Sequence, residues 1–128
     1  MVIDSSAIAA IFFGEPERDA FLRRLTADSR CLISAGTLVE IQIVLAKAAE
    51  SQGLARLQEF LELFRVAVVS FDQDQAMLAG EAFRRYGKGR HAARLNFGDC
   101  FSYALAKQTG EPLLFKGGDF GLTDVVVA

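Results

Sequence analysis

Apolar and polar positions alternate along this chain in blocks, and the blocks read as strands and helices taking turns. Residues 1–4 form a short apolar run ending in an acid, Asp4. Ser5 and Ser6 stand as cap candidates before a helix at 7–13, which Gly14-Glu15-Pro16 breaks. A second helix at 17–26 turns Phe21, Leu22 and Leu25 inward, and residues 31–34 make a short buried strand. A long helix spans 35–51, with Gly53 marking its end. Helix 54–65 gathers Leu57, Leu61 and Phe64 on one side, and the β-branched run 66–71 is a strand. Residues 72–86 form a helix with an acidic first turn, followed by a polar loop at 87–94. Phe97, Cys100, Phe101, Ala104 and Leu105 then fall at helical spacing, so they predict one apolar face of a helix ending near Thr109-Gly110. Asn96 caps that helix, with Asp99 three residues on in the capping-box position. Strands at 113–115 and 125–127 close the chain.

Strands that are apolar throughout and alternate with helices predict a parallel sheet covered on both faces, a three-layer α/β/α sandwich. At 128 residues and 52% hydrophobic content the chain suits one domain, 1–128, with a substantial core. No apolar run approaches the roughly 20 residues of a membrane helix, and no signal-peptide pattern leads the chain, so a cytoplasmic protein is expected. Net charge is −2, which excludes a general basic nucleic-acid coat and confines any polyanion contact to a local patch. Cys31 and Cys100 lie in apolar patterns and read as buried free thiols; with His91 the only histidine, there is no zinc-ligand cluster.

In a parallel sheet, ligands sit beyond the carboxyl ends of the strands. Four acids fall at or near such ends. Asp4 ends the first strand. Glu40 lies about two turns into the helix after the second, among Leu38, Val39, Ile41, Ile43, Val44 and Leu45; a helix so apolar around its circumference is expected to be buried, where Glu40 needs a compensating partner or an arginine. Asp99 opens the capped helix, as a helix-start acid or as a chemical group. Asp119 follows the fourth strand and Gly117-Gly118, with Asp124 competing for the same role. Carboxylates gathered at one site repel each other, and a hard divalent cation with oxygen ligands, Mg²⁺ or Mn²⁺, resolves that repulsion. Such a site suits metal-dependent phosphodiester hydrolysis. Between Ala82 and Gly98 there is no acid, while Arg84, Arg85, Lys88, Arg90 and Arg94 supply a basic run with Tyr86 and His91 beside them. That run reads as a contact for RNA phosphates or as a solvated loop.

The segments 2–7 (Val-Ile-Asp-Ser-Ser-Ala), 34–40 (Ser-Ala-Gly-Thr-Leu-Val-Glu), 95–100 (Leu-Asn-Phe-Gly-Asp-Cys) and 114–120 (Leu-Phe-Lys-Gly-Gly-Asp-Phe) together resemble a PIN-domain ribonuclease, the VapC-type toxin of a toxin–antitoxin pair. The resemblance implies Mg²⁺- or Mn²⁺-dependent RNA cleavage with Asp4, Glu40, Asp99 and Asp119 as the acidic site. It makes Asp4 and Asp99 the firmest direct ligands, with Ser6 and Thr37 in support. It further implies a VapB-type antitoxin reaching the acidic cleft, a homodimer, and transfer RNA among the target classes. The turn before Asp119 departs from the family's usual polar or acidic form, being Gly117-Gly118 here. The residues leave two other readings: a non-catalytic module with the same fold, or a Mg²⁺-dependent phosphoryl-accepting receiver or phosphatase using Asp72 or Asp74. Ser6 stands where a haloacid-dehalogenase-type enzyme needs a second Asp.

Overall fold

Met1, Ile3, Ile33 and Leu114 point to one side of a sheet, while Val2, Leu32 and Leu113 point to the other. This alternation is what a strand buried on both faces requires. The computed structural model describes residues 1–48 and 52–128. Its strands are β1 (Val2–Ile3), β2 (Leu32–Ser34), β3 (Ala67–Val69) and β4 (Leu113–Leu114), all parallel in the order β3-β2-β1-β4. Helices α1 (Ser5–Phe12), α2 (Arg18–Ala27), α3 (Ala35–Lys47) and α4 (Gly53–Leu63) supply the first layer, with Ile8, Leu25, Ile41, Leu45 and Leu57 in its core. Helices α5 (Gln73–Tyr86) and α6 (Phe97–Thr109) cover the other face with Ala82, Tyr86, Tyr103 and Leu105. The α/β/α sandwich expected from the sequence is therefore present.

Several boundaries differ, each for a local reason. Asp4, rather than Ser5 or Ser6, caps α1, because its carboxylate accepts the Ser6 N–H and frees both serines to be helical. The long helix expected to reach Ser51 is described only to Lys47, with Ala49, Glu50 and Ser51 outside the described residues. Gly53 opens α4 instead of closing α3. β3 is an edge strand with Ala67 and Val68 exposed, so the covering of both faces fails at that margin. The strand expected at 125–127 contracts to a single parallel bridge between Leu113 and Val127. Nor is α3 buried around its circumference: Val39 is 54% and Ile43 50% exposed, although Ile41 and Leu45 are fully inside. Phe97, counted on the apolar face of α6, is 79% exposed, since it sits in the first helical turn beyond the reach of the core. Cys31 and Cys100 are buried free thiols, as expected. Among the described residues no helix is long and apolar enough to cross a membrane.

Parallel strands all end at the same margin. Asp4 follows β1 there, Ser34 ends β2 and caps α3 through the Gly36 N–H, and the 115–119 turn leaves β4. Asp4, Asp99 and Asp119 are thus delivered to one edge or to a helix start beside it, and Glu40 reaches that edge from within α3.

Candidate active site

Asp4 is the innermost acid, only 2% exposed at the end of a central strand. A carboxylate so placed needs hydrogen-bond donors, and it has three. Its Oδ2 accepts the Ser6 N–H at 2.9 Å and the Ser6 hydroxyl at 2.6 Å. Its Oδ1 accepts the Ser102 hydroxyl, on α6, at 2.6 Å. Ser102 in turn lies 3.0 Å from the Thr37 hydroxyl of α3, and the Lys116 N–H after β4 donates to Ser6 Oγ at 3.0 Å. One carboxylate thereby ties together α1, α3, α6 and the turn after β4.

Glu40 reaches the same edge from α3. Its Oε2 accepts the Ser5 hydroxyl at 2.9 Å. Burial is the main cause that pushes its carboxyl up; the Ser5 hydrogen bond opposes this, and the neighbouring Asp4 charge adds to it. On the other side the carboxylate rests on Gly98. A Cβ built on Gly98 falls 2.2 Å from Glu40 Oε1, so no larger residue fits without moving Glu40. The arginine partner considered for Glu40 does not appear: among the described residues no ion pair engages Asp4, Glu40, Asp99 or Asp119.

Asp99 fills the helix-start role and also lies within reach of the other acids. The capping box of α6 is complete: Asn96 Oδ1 accepts the Asp99 N–H at 3.0 Å and Asp99 Oδ2 accepts the Asn96 N–H at 2.7 Å. The same carboxyl is pushed up to about 6, first by burial and further by the charges of Asp4, Glu40 and Asp119, against the Asn96 hydrogen bond. Four distant stretches of sequence thus lie within electrostatic reach of one group. Asp119 is the exposed member, at the start of a short 3₁₀ turn (Phe120–Leu122). Asp124 is held elsewhere, accepting Tyr103 Oη at 2.7 Å and Lys107 Nζ at 3.2 Å, with Arg85 at 3.6 Å. Asp72 caps α5 through the Gln75 N–H at 2.8 Å and pairs with the Gln108 amide, which gives the receiver reading nothing beyond a helix-start acid.

The sequence does not single out Ser102, and it marks Ser5 only as a helix-cap candidate. The signal for Ser102 was a hydroxyl three residues after Asp99 within an otherwise apolar helical face; for Ser5, adjacency to Asp4. Gly98 was likewise overlooked as the floor beneath Glu40.

The donor set fits a hard divalent cation. It is made of oxygens only, with no cation among the described residues to offset the charge that raises Asp99. Among the described residues, no group of three or more His, Cys, Asp and Glu side chains stands in a metal-holding arrangement. A hard divalent cation that keeps several waters and takes one or two carboxylates directly needs no such group.

The basic run is uneven. Arg85 lies over the Tyr86 ring at 4.9 Å and donates to its hydroxyl, and Arg84 pairs with Glu81 at 3.4 Å. Lys88, Arg90 and Arg94 are exposed on a loop closed by the Gly87–Leu95 bridge and by an Arg94 N–H to His91 carbonyl bond. That loop runs directly into the cap of α6.

Two expectations follow from the geometry. Folded Asp99 keeps its proton up to about pH 6, against an ordinary 3.8 unfolded, so stability falls as pH rises between those values. A shift of about two pH units corresponds to at most roughly 3 kcal/mol, lessened by solvent at this partly exposed group. Urea unfolding of metal-free protein at pH 4.5 and pH 7 should show Asp99→Asn losing that part of the decline; an unchanged difference between the two pH values refutes it. Gly98→Ala, which gains up to about 1 kcal/mol of helix propensity, should leave the chain folded yet weaken Mn²⁺ binding about tenfold by displacing Glu40, as read by calorimetric titration.

The PIN domain family model matches residues 1–126. A ribonuclease VapC of Mycolicibacterium smegmatis is 48% identical over 125 residues, covering 98% of this chain and 97% of its own. Ribonuclease VapC30 of Mycobacterium tuberculosis is 45% identical over 125 residues, covering 98% and 95%. Among solved structures, the sarcin-ricin loop cleaving toxin VapC20 of M. tuberculosis superposes with a TM-score of 0.80 at 19% identity, over 99% of this chain and 97% of that one. A toxin–antitoxin complex from Klebsiella pneumoniae reaches 0.74 at 20% identity, over 99% and 95%. With its acids converging at one sheet edge and the family model covering nearly its full length, this chain belongs to the PIN-domain family and to the VapC group within it.

Proposed function

We propose that this protein is a divalent-metal-dependent endoribonuclease acting as the toxin of a toxin–antitoxin pair. The observation that carries the reading is that buried Asp4 at the end of β1, Glu40 held on Ser5 and Gly98, and Asp99 at the start of α6 meet at one sheet edge with no ion pair to any of them among the described residues. The naming of the relatives as ribonucleases supports RNA as the substrate. We assign Asp4 and Asp99 as direct ligands of Mg²⁺ or Mn²⁺, and Glu40 and Asp119 as ligands through water. A divalent ion there lowers the pKa of bound water and offsets charge on phosphoryl oxygens.

The chain's own residues do the rest. Ser6 and Ser102 hold Asp4, Ser5 and Gly98 place Glu40, and Asn96 turns Asp99 toward the cluster while using only one of its oxygens. Thr37 reaches the site through Ser102. Lys88, Arg90 and Arg94 hold the RNA backbone, with Arg84 and Arg85 as lesser contributors because each already has a partner. A VapB-type antitoxin and a second copy of the chain complete the assembly in this reading. The solved toxin–antitoxin complex with the same fold supports the first. The exposed Val39, Ile43 and Phe97 supply apolar surface beyond the isolated residues of an ordinary monomer face.

RNA incubated with Mg²⁺ or Mn²⁺ should be cleaved to 5′-phosphate and 3′-hydroxyl ends, the products of in-line attack by water on phosphorus with the 3′ oxygen leaving. Asp99→Ala or EDTA should reduce the rate by at least about 100-fold, at the upper end of what loss of metal support costs. Cleavage indifferent to both would dismiss the metal site. Replacing Lys88, Arg90 and Arg94 together by Ala should flatten the salt dependence of RNA binding, lowering the slope of log K against log salt by about 2, from roughly 0.7 per phosphate contact. Filter binding with catalytically dead Asp99→Ala protein across a salt series reads that slope.

A further inference from the structure

We infer that Ser102 is a positioning residue of this site: it holds Asp4 by Oδ1 and leaves that carboxylate a single acceptor position with which to meet a divalent cation. The inference rests on the metal-dependent reading above. Counting donors against lone pairs carries it. A carboxylate oxygen offers about two acceptor positions. Both positions of Asp4 Oδ2 are filled from within α1, by the Ser6 N–H at 2.9 Å and the Ser6 hydroxyl at 2.6 Å. Oδ1 accepts one donor, the Ser102 hydroxyl at 2.6 Å. One position remains, on the very oxygen that Ser102 grips.

The direction of the hydroxyl chain follows. Ser102 has one proton and gives it to Asp4, so the contact of 3.0 Å between Ser102 and Thr37 is donated by Thr37. Ser102 and Thr37 are both fully buried, at 0% exposure. Bulk water has no access with which to replace either donor. The chain Thr37 to Ser102 to Asp4 thus joins the second layer of helices to the first across the end of β1.

Ser102 also lies three residues after Asp99 on α6, and residues so spaced share a helix face. One helix therefore presents one carboxylate and fastens the other. The relative placement of Asp4 and Asp99, which an ion between them depends on, is therefore set by α6 together with the Ser6 contacts from α1. Partners that orient ligand groups in this way are worth roughly 10- to 100-fold in metal affinity.

Mn²⁺ binding to the full chain, followed through loss of the free-ion electron paramagnetic resonance signal, tests this without any nuclease assay. Ser102→Ala should raise the Kd for Mn²⁺ about 10- to 100-fold. Ser102→Cys, of nearly the same volume but with a weak S–H donor, should fall between Ser102→Ala and the parent chain. The rise in melting temperature given by saturating Mn²⁺ should shrink in the same order. A purely structural serine would lower the melting temperature of the metal-free chain and leave the Kd alone. Parent chain that binds Mn²⁺ while Ser102→Ala binds it equally well overturns the assignment of Ser102 and spares the metal reading. Should Ser102→Ala not fold, an unaltered Kd in Ser102→Cys overturns it equally. Parent chain that takes up no Mn²⁺ removes both together.

Discussion

The structure turns on a carboxylate that folding has withdrawn from water. Asp4 ends a central strand of a sheet buried on both faces, and its 2% exposure leaves it nothing but protein to meet. Taking a carboxyl group out of water is expensive unless donors replace the lost hydration. The replacement comes from three directions at once: the start of α1, the middle of α6 and, through Ser102, the start of α3. These elements are far apart in sequence and meet again only a step away, at Glu40, which accepts the Ser5 hydroxyl and rests on Gly98. Satisfying Asp4 is thus a condition on the whole edge of the sheet, and the other acids inherit their positions from it. Glu40 rides on the helix that carries Thr37, and Asp99 on the helix that carries Ser102.

Helix starts explain why structure and chemistry share residues here. A parallel sheet sends each chain crossing from a strand end into a helix start, where N–H groups lack partners and the dipole favours negative charge. An acid placed there is stabilised before it does anything else. Asp4 caps α1 with one oxygen and Asp99 closes the capping box of α6 with one oxygen. Each therefore meets a structural need with part of its carboxylate and keeps part available. For Asp99 the cap uses Oδ2 alone, and the neighbouring charges still act on the group as a whole.

Much of this was legible from residues alone, because the signals were periodic or local. The capping box at Asn96 and Asp99 was readable to the residue, as was the end of α6 at Gly110, whose φ of 69° is left-handed. Layering followed from apolar strands alternating with helices. What escaped depended on contacts between distant segments. Neither Val39 nor Phe97 shows by its neighbours that it faces outward; the pattern counts apolar residues, and the fold decides which of them find a partner. The extent of the acidic cluster and the exclusion of Asp124 were equally tertiary, the latter fixed by Tyr103, Lys107 and Arg85. A serine inside an apolar helix face does not announce its partner 98 residues away.

Gly98 shows how such a partner can still leave a mark. Glycine within a helix costs about 1 kcal/mol relative to alanine, and α6 is otherwise well made, with a full capping box and a left-handed terminal glycine. A local weakness inside an element that is consistent at every other level is the kind of conflict that functional demands produce. Here the demand is visible: the space a methyl group would fill is occupied by the carboxylate of Glu40. Without that void, Glu40 would be pushed away from Asp4 and Asp99, and the mutual repulsion that calls for a cation would be relieved by distance. The glycine thus maintains an unfavourable gathering of charge that the surrounding helix would be more stable without.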